Sequence, residues 1–293
     1  MPVDEDQRKD VMTFWNNRAN LGLAAGSKDL IAKQLEMTAI AGYVRDGMRI
    51  LDAGCGNGVT AIEIARDHDA EILGLDYAPK MIEAAQRSAR KETLRGTVTF
   101  KVGDIRNLPD DLGLFDLVYT ERVLINLPDW SAQQDTLREL ARLLNAGARY
   151  VMCENSQNGL DQINRLRQQI GLPQITTPWH NRYLVDEEVE SLVMDDLKLE
   201  EKQAFSSTYY FLSRIVNAWM AQQERREPAY DAPVNRLALK LPAVGDTAQV
   251  KIWVWRKTRC NRFGCRILDT PSGCKGQVSD WIRDPQWEAS RGL

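Results

Sequence analysis

The chain has 293 residues, 43% hydrophobic and 27% charged, which excludes a disordered polymer and suits a folded chain with a sizeable core. Its formal charge is −3 and its pI about 5.6, so no global basic field recruits nucleic acid or an anionic membrane. The opening residues are polar and charged, no apolar run approaches the length of a membrane span, and the five cysteines are odd in number, so the expectation is a cytoplasmic protein without membrane insertion.

In chain order, residues 5–44 read as helices preceding a sheet. From about 48 to 154 short apolar strands alternate with amphipathic helices, the pattern of a parallel sheet. Strands are expected at 48–52, 71–76, 97–102, 114–119 and 148–153. Helices are expected after the glycine turn at 54–58, after Pro79, and from Ser131 to Leu144, the last stopped by Asn145-Ala146-Gly147. Beyond 155 the spacing predicts a polar helix from Leu160 to Ile170 and a loop over 173–185. Asp186 is expected to cap a short helix, followed by a strand from Leu197, an aromatic-rich helix over 209–223 and a last strand at 251–257. The fold class is therefore α/β: a doubly wound, mostly parallel, seven-stranded sheet with N-terminal helices and an insertion after strand five. Such sheets bind ligands at the carboxyl ends of their strands.

The glycine turn restricts the ligand. Asp52-x-Gly54-x-Gly56-x-Gly58 is tighter than the Gly-x-Gly-x-x-Gly that brings a helix N-terminus to a pyrophosphate, and Asp52 would repel an anion. It suits a ligand with an amino group and a sulfonium centre. Cys55 reads as a small turn residue rather than a nucleophile.

Leu51 to Gly58 resembles the first signature of the class I S-adenosylmethionine methyltransferases, and the resemblance extends over roughly residues 48–154. It implies a Rossmann-like fold, S-adenosyl-L-methionine as methyl donor and S-adenosyl-L-homocysteine as product. By the same resemblance Asp76 would take the ribose hydroxyls, Tyr77 and Met81 would pack on the adenine, and Asp104 with Ile105 would receive its amino group. Thr120 would border the methionine moiety. Segments at 15–19, 27–36, 122–127 and 179–183 are similar to bacterial methyltransferases of surface-polysaccharide or sugar biosynthesis, which implies a small-molecule or saccharide acceptor. Arg18 is the candidate for the cofactor carboxylate, since a guanidinium meets a carboxylate bidentately.

Transfer to an oxygen of high pKa needs a base. Of the two histidines, His68 sits among surface charges and His180 lies in the post-sheet insertion on the acceptor side. Glu154, beyond the fifth strand, is the second candidate: it would orient His180, act as base, or bind a hydroxyl. Arg122 would suit an acceptor phosphate or carboxylate and Asn126 its hydroxyls; Trp179 is a further acceptor candidate and Tyr183 a further catalytic one, while Tyr183, Tyr209, Tyr210 and Trp219 would wall an acceptor pocket or fill a core. No metal site is expected. N-methylation of an amino sugar or small amine, and a scaffold without catalysis, stand as alternatives. The expected organisation is a helical cap at 1–44, the main domain at 45–257 with insertions about 172–185 and 209–245, and a C-terminal extension at 258–293. Oligomeric state is not readable.

Overall fold

The strands follow from two-residue alternation inside continuous apolar runs, with each parity feeding a different layer. In the computed structural model, which describes residues 5–258, Ile50, Ile72, Leu117, Val151 and Ile252 pack on one face of the sheet. Their neighbours Leu51, Leu73, Val118, Met152 and Trp253 pack on the other. Strands buried on both faces are what helices on both sides of a parallel sheet require.

Two helices come first, α1 (Glu5–Arg18) and α2 (Leu30–Ala41), joined by a 3₁₀ stretch from Ala19 to Ala24. The alternating unit then runs β1 (Arg49–Ala53), α3 (Val59–Asp67), β2 (Glu71–Asp76), α4 (Pro79–Ala89), β3 (Thr97–Val102), β4 (Phe115–Glu121), α5 (Trp130–Arg142) and β5 (Leu144–Asn155). After it come α6 (Gln157–Gln169), α7 (Asp186–Glu190), β6 (Leu197–Gln203) and a helical stretch from 207 to 223 with a π turn at Leu212–Asn217. β7 (Val250–Lys257) closes the sheet. The strand order is β3-β2-β1-β4-β5-β7-β6, with β7 antiparallel to both neighbours. The order reverses between β1 and β4, which opens a crevice at their carboxyl ends.

Two local expectations are corrected. Asn145-Ala146-Gly147 does not stop the preceding helix. α5 ends at Arg142, and Gly147 (φ +80°) lies inside β5, where pairing with β4 shifts register between Phe115 and Leu117. Asp186 is not a helix cap. Val185 holds that position, and the buried Asp186 carboxylate instead takes the Ser156 hydroxyl and the Lys251 ammonium, each at 2.6 Å.

Among the described residues no helix is long and apolar enough to cross a membrane, and no group of three His, Cys, Asp or Glu side chains is placed to hold a metal ion. Cys55 and Cys153 are free thiols. Cys260, Cys265 and Cys274, with nearly all of the expected C-terminal extension, lie outside the described residues.

Candidate functional site

The turn after β1 is tied to the end of β2, because Gly54 and Cys55 both donate their N–H to the Leu75 carbonyl, at 2.7 and 2.8 Å. Its three glycines differ in purpose. A Cβ on Gly54 (φ +85°) would lie 2.5 Å from both γ carbons of Val123, and one on Gly58 (φ +78°) 2.6 Å from Phe100 Cζ. A Cβ on Gly56 (φ +53°) would meet nothing within 4 Å, because that residue faces a cavity of about 610 Å³.

Asp76, at the end of β2, fixes the turn from the other side. One carboxylate oxygen accepts the Gly56 N–H at 2.9 Å and the other the Ala78 N–H at 2.8 Å. Burial pushes Asp76 up to about 6, against those two bonds. A carboxylate has about four lone-pair sites, so roughly two remain for a ligand. Asp52 lines the same cavity and is pushed up to about 7 by burial, with the Tyr119 hydroxyl pulling the other way. Tyr77, Met81, Ile105 and Cys55 complete this wall, and burial raises the Cys55 thiol well above its ordinary value.

Four residues named from sequence have partners or places that differ from expectation. Asp104 is at the cavity, but its carboxylate is engaged by Arg106 (backbone N–H and guanidinium) and by Arg8 of α1 at 2.6 Å, which hold it below the usual carboxylate range. No lone pair is left for a purine amino group. Thr120 is fully buried against the Tyr150 hydroxyl at 3.0 Å and does not reach the cavity; Glu121 does. Tyr209 is core, its hydroxyl on the Asp29 carboxylate, and its neighbour Tyr210 lines the cavity instead. Glu154 is fully buried behind the wall and accepts the N–H groups of Val123 and Leu124, both at 3.1 Å. It shapes the turn after β4 and is placed neither to touch a ligand nor to orient His180.

That location makes a prediction. Burial pushes Glu154 from 4.5 up to about 7. A folded-state pKa above the unfolded one stabilises the fold fully at low pH, and the contribution is lost as pH rises through about 7. Glu154→Gln, which keeps the acceptor and stays neutral, should remove a share of about 3 kcal/mol of the stability lost between acid and alkaline pH. Turnover should be retained. Thermal midpoints across pH for both proteins check this; a variant that folds but no longer turns over would return Glu154 to a direct role.

The floor carries a charged cluster that the sequence did not announce. Lys33 of α2 donates to Glu121 at 2.6 Å and to the Thr60 hydroxyl at 2.8 Å, and Thr60 donates to the second Glu121 oxygen at 2.5 Å. Arg122, in the left-handed region (φ +56°), places Nε 3.1 Å from the buried Glu36 carboxylate, and its own N–H bonds the Cys153 carbonyl. Burial pushes Glu36 up to about 8, with Arg122 pulling it back. Arg122 lines the cavity between the Glu36 and Glu121 carboxyl groups.

The outer wall is aromatic. The His180 ring lies 4.5 Å from Phe14, 5.2 Å from Trp179 and 6.0 Å from Trp15, measured between centroids. Its Nδ1 is buried with no hydrogen-bond partner, and burial, then the Arg18 charge, lower its pKa. Arg18 itself donates to the carbonyls of Ala24 and Ala25 and sits over the Phe14 ring. Tyr183 lines the cavity, its hydroxyl accepting from Gln249 at 3.2 Å. Asn126 also lines it, but both ends of its amide are engaged, by the Arg122 and Val123 carbonyls and by Asn181. Trp179 stays 61% exposed at the rim.

Residues 44–206 match the family described as Methyltransferase domain. The chain is 34% identical over 108 residues to the O-methyltransferase rstn1 of Aspergillus nomiae, covering 37% of this chain and 47% of that protein. It is 31% identical over 111 residues to the ajmaline N-methyltransferase of Rauvolfia serpentina, covering 38% and 37%. The match thus spans less than half the length of these curated relatives. Its fold is similar to magnesium protoporphyrin IX methyltransferase from Synechocystis, solved with bound S-adenosylmethionine, with a TM-score of 0.53 and 16% identity over 86% of this chain and 97% of that one.

Proposed function

The chain belongs to the methyltransferase-domain family, the class I enzymes that use S-adenosylmethionine, and from that premise we propose that it methylates an oxygen of a small polar or sugar-like acceptor. The donor supplies an activated sulfonium methyl, so the protein's task is alignment and proton removal. The residues present fit this donor: Gly56 leaves its side of the turn open to the cavity, and Asp76 keeps two carboxylate lone pairs for ribose hydroxyls. Tyr77, Met81 and Ile105 would pack on the base, and Asp52 with the turn would meet the amino-acid end. A cytoplasmic setting, where such a donor is supplied, is part of the proposal.

The observation that carries the oxygen reading is His180. Burial and then the Arg18 charge favour its neutral form, one nitrogen lacks a partner, and it lines the same cavity as the turn. That is the state a general base needs before a hydroxyl is deprotonated. The rings of Phe14, Trp15 and Trp179 beside it offer faces on which a ring-shaped acceptor would lie. The likeness to an N-methyltransferase supports a second reading, transfer to a small amine, which asks less of a base.

The test is direct. Purified protein is titrated with S-adenosylhomocysteine by calorimetry, then supplied with donor labelled in the methyl group and fractionated cell extract. The expected result is saturable binding and a labelled small-molecule product whose mass spectrum places the methyl on oxygen. No binding would overturn the enzyme reading, and methyl on nitrogen would replace the first acceptor class with the second.

A further inference from the structure

In the lining of the cavity, two amide oxygens have no hydrogen-bond partner: Oδ1 of Asn155 and Oε1 of Gln249. Both residues are nine-tenths buried, at 5% and 8% exposure. A buried acceptor without a donor is costly, so two in the lining of one cavity call for a chemical reason.

Their positions are rigid. Asn155 is the last residue of β5, and its register partner is Val250, the first residue of β7; Gln249 stands immediately before it and bonds the Ser156 N–H through its backbone carbonyl at 2.8 Å. The Gln249 amide is also oriented, because its Nε2 donates to the Tyr183 hydroxyl and leaves Oε1 as the end without a partner. Arg214 is matched by Asp29 and Asn126 by its own loop, while Arg122 stands 3.1 Å from the Glu36 carboxylate without a hydrogen bond from its Nε. The two amides themselves present acceptors and ask for donors.

The geometry points to Asn155 and Gln249 as the specificity-determining pair for the acceptor, taking hydrogen bonds from hydroxyl groups on a ring that lies among the aromatic side chains. This rests on the methyltransferase reading above and deepens it. It assigns the hydroxyl recognition expected of Asn126 to residues at the adjoining ends of β5 and β7 whose oxygens are still open. A fully etherified ring of the same shape would bury both amide oxygens unpaired and be rejected.

The experiment uses the full chain saturated with S-adenosylhomocysteine and two matched pairs of probes, read by ligand-observed magnetic resonance and calorimetry. One pair is catechol and 1,2-dimethoxybenzene, and the other is methyl glucoside and its permethylated counterpart; the two pairs separate an aromatic source of the hydroxyl from a saccharide one. In wild type the hydroxylated member of at least one pair should bind about tenfold more tightly than its etherified partner. Gln249→Met and Asn155→Leu should each shrink that preference to about twofold, while Gln249→Glu and Asn155→Asp, which keep a side-chain carbonyl, should restore it. S-adenosylhomocysteine affinity should be unchanged throughout. Equal binding of both members in wild type, no binding of any probe, or a preference that survives Gln249→Met and Asn155→Leu would overturn the assignment. Failure of wild type to bind S-adenosylhomocysteine would instead overturn the enzyme reading beneath it.

Discussion

Gly56→Val is expected to give a folded protein that no longer binds S-adenosylhomocysteine, whereas Gly58→Val is expected not to fold stably. Both positions have positive φ, so a β-branched residue carries backbone strain of about 1–3 kcal/mol at either. They differ in what the side chain meets. At Gly58 the first added carbon would lie 2.6 Å from Phe100 Cζ and 2.9 Å from Ala85 Cβ, and Phe100 is itself buried between α4 and the sheet. Overpacking there adds about 1–3 kcal/mol or more to the strain, a large part of the roughly 5–15 kcal/mol that holds a domain together. At Gly56 the added carbon enters open space, and that space is the cavity. The cost to folding is then strain alone, while the isopropyl group occupies the place where a ligand must approach the backbone. Thermal midpoints and calorimetric titration separate the two results. A Gly56→Val protein of unchanged affinity would show that the turn is not the cofactor's cradle.

Much of this architecture was legible because burial on both faces of the sheet leaves short uninterrupted apolar runs, as in Ile50-Leu51 and Ile72-Leu73-Gly74-Leu75. The glycine turn was legible because its spacing is local. Two of the site corrections, Thr120 and Glu154, share one physical cause, strand parity. Strand β4 continues to Glu121, so alternation turns Thr120 toward Tyr150 and brings Glu121 to the cavity. In β5 the same alternation hides Glu154 and presents Asn155. On the helical stretch from 207, one residue's rotation buries Tyr209 on Asp29 and leaves Tyr210 lining the wall. The rest depended on contacts between distant segments. Nothing in Lys33-Gln34-Leu35-Glu36 states that its charges meet Glu121 and Arg122, and nothing near Asp104 states that Arg8 reaches it. The pairing of Asn155 with the strand after Gln249 exists only because the chain returns antiparallel after a long insertion.

His180→Ala is expected to lower kcat by about 10²–10⁴-fold on the identified acceptor, with S-adenosylhomocysteine affinity little changed. The imidazole lies within an aromatic enclosure, with its pKa lowered first by burial and then by the charge of Arg18. The sign follows from the form required. A base acts when neutral, so kcat/KM should rise with pH through the His180 titration and level off below the ordinary imidazole value of 6.5. In His180→Ala that rising limb should vanish, because the group that titrates is gone. Arg18→Met should move the limb to higher pH, since removing a nearby positive charge makes the imidazolium easier to form. Trp179→Ala would strip one ring from the enclosure without changing either charge, and it too should raise the limb by admitting water. Together the three profiles distinguish proton removal from mere packing: a structural His180 would lose activity without losing a limb, and Arg18→Met would shift nothing. An amine acceptor predicts a different pattern, because its own deprotonation would set the limb and leave it in place in His180→Ala.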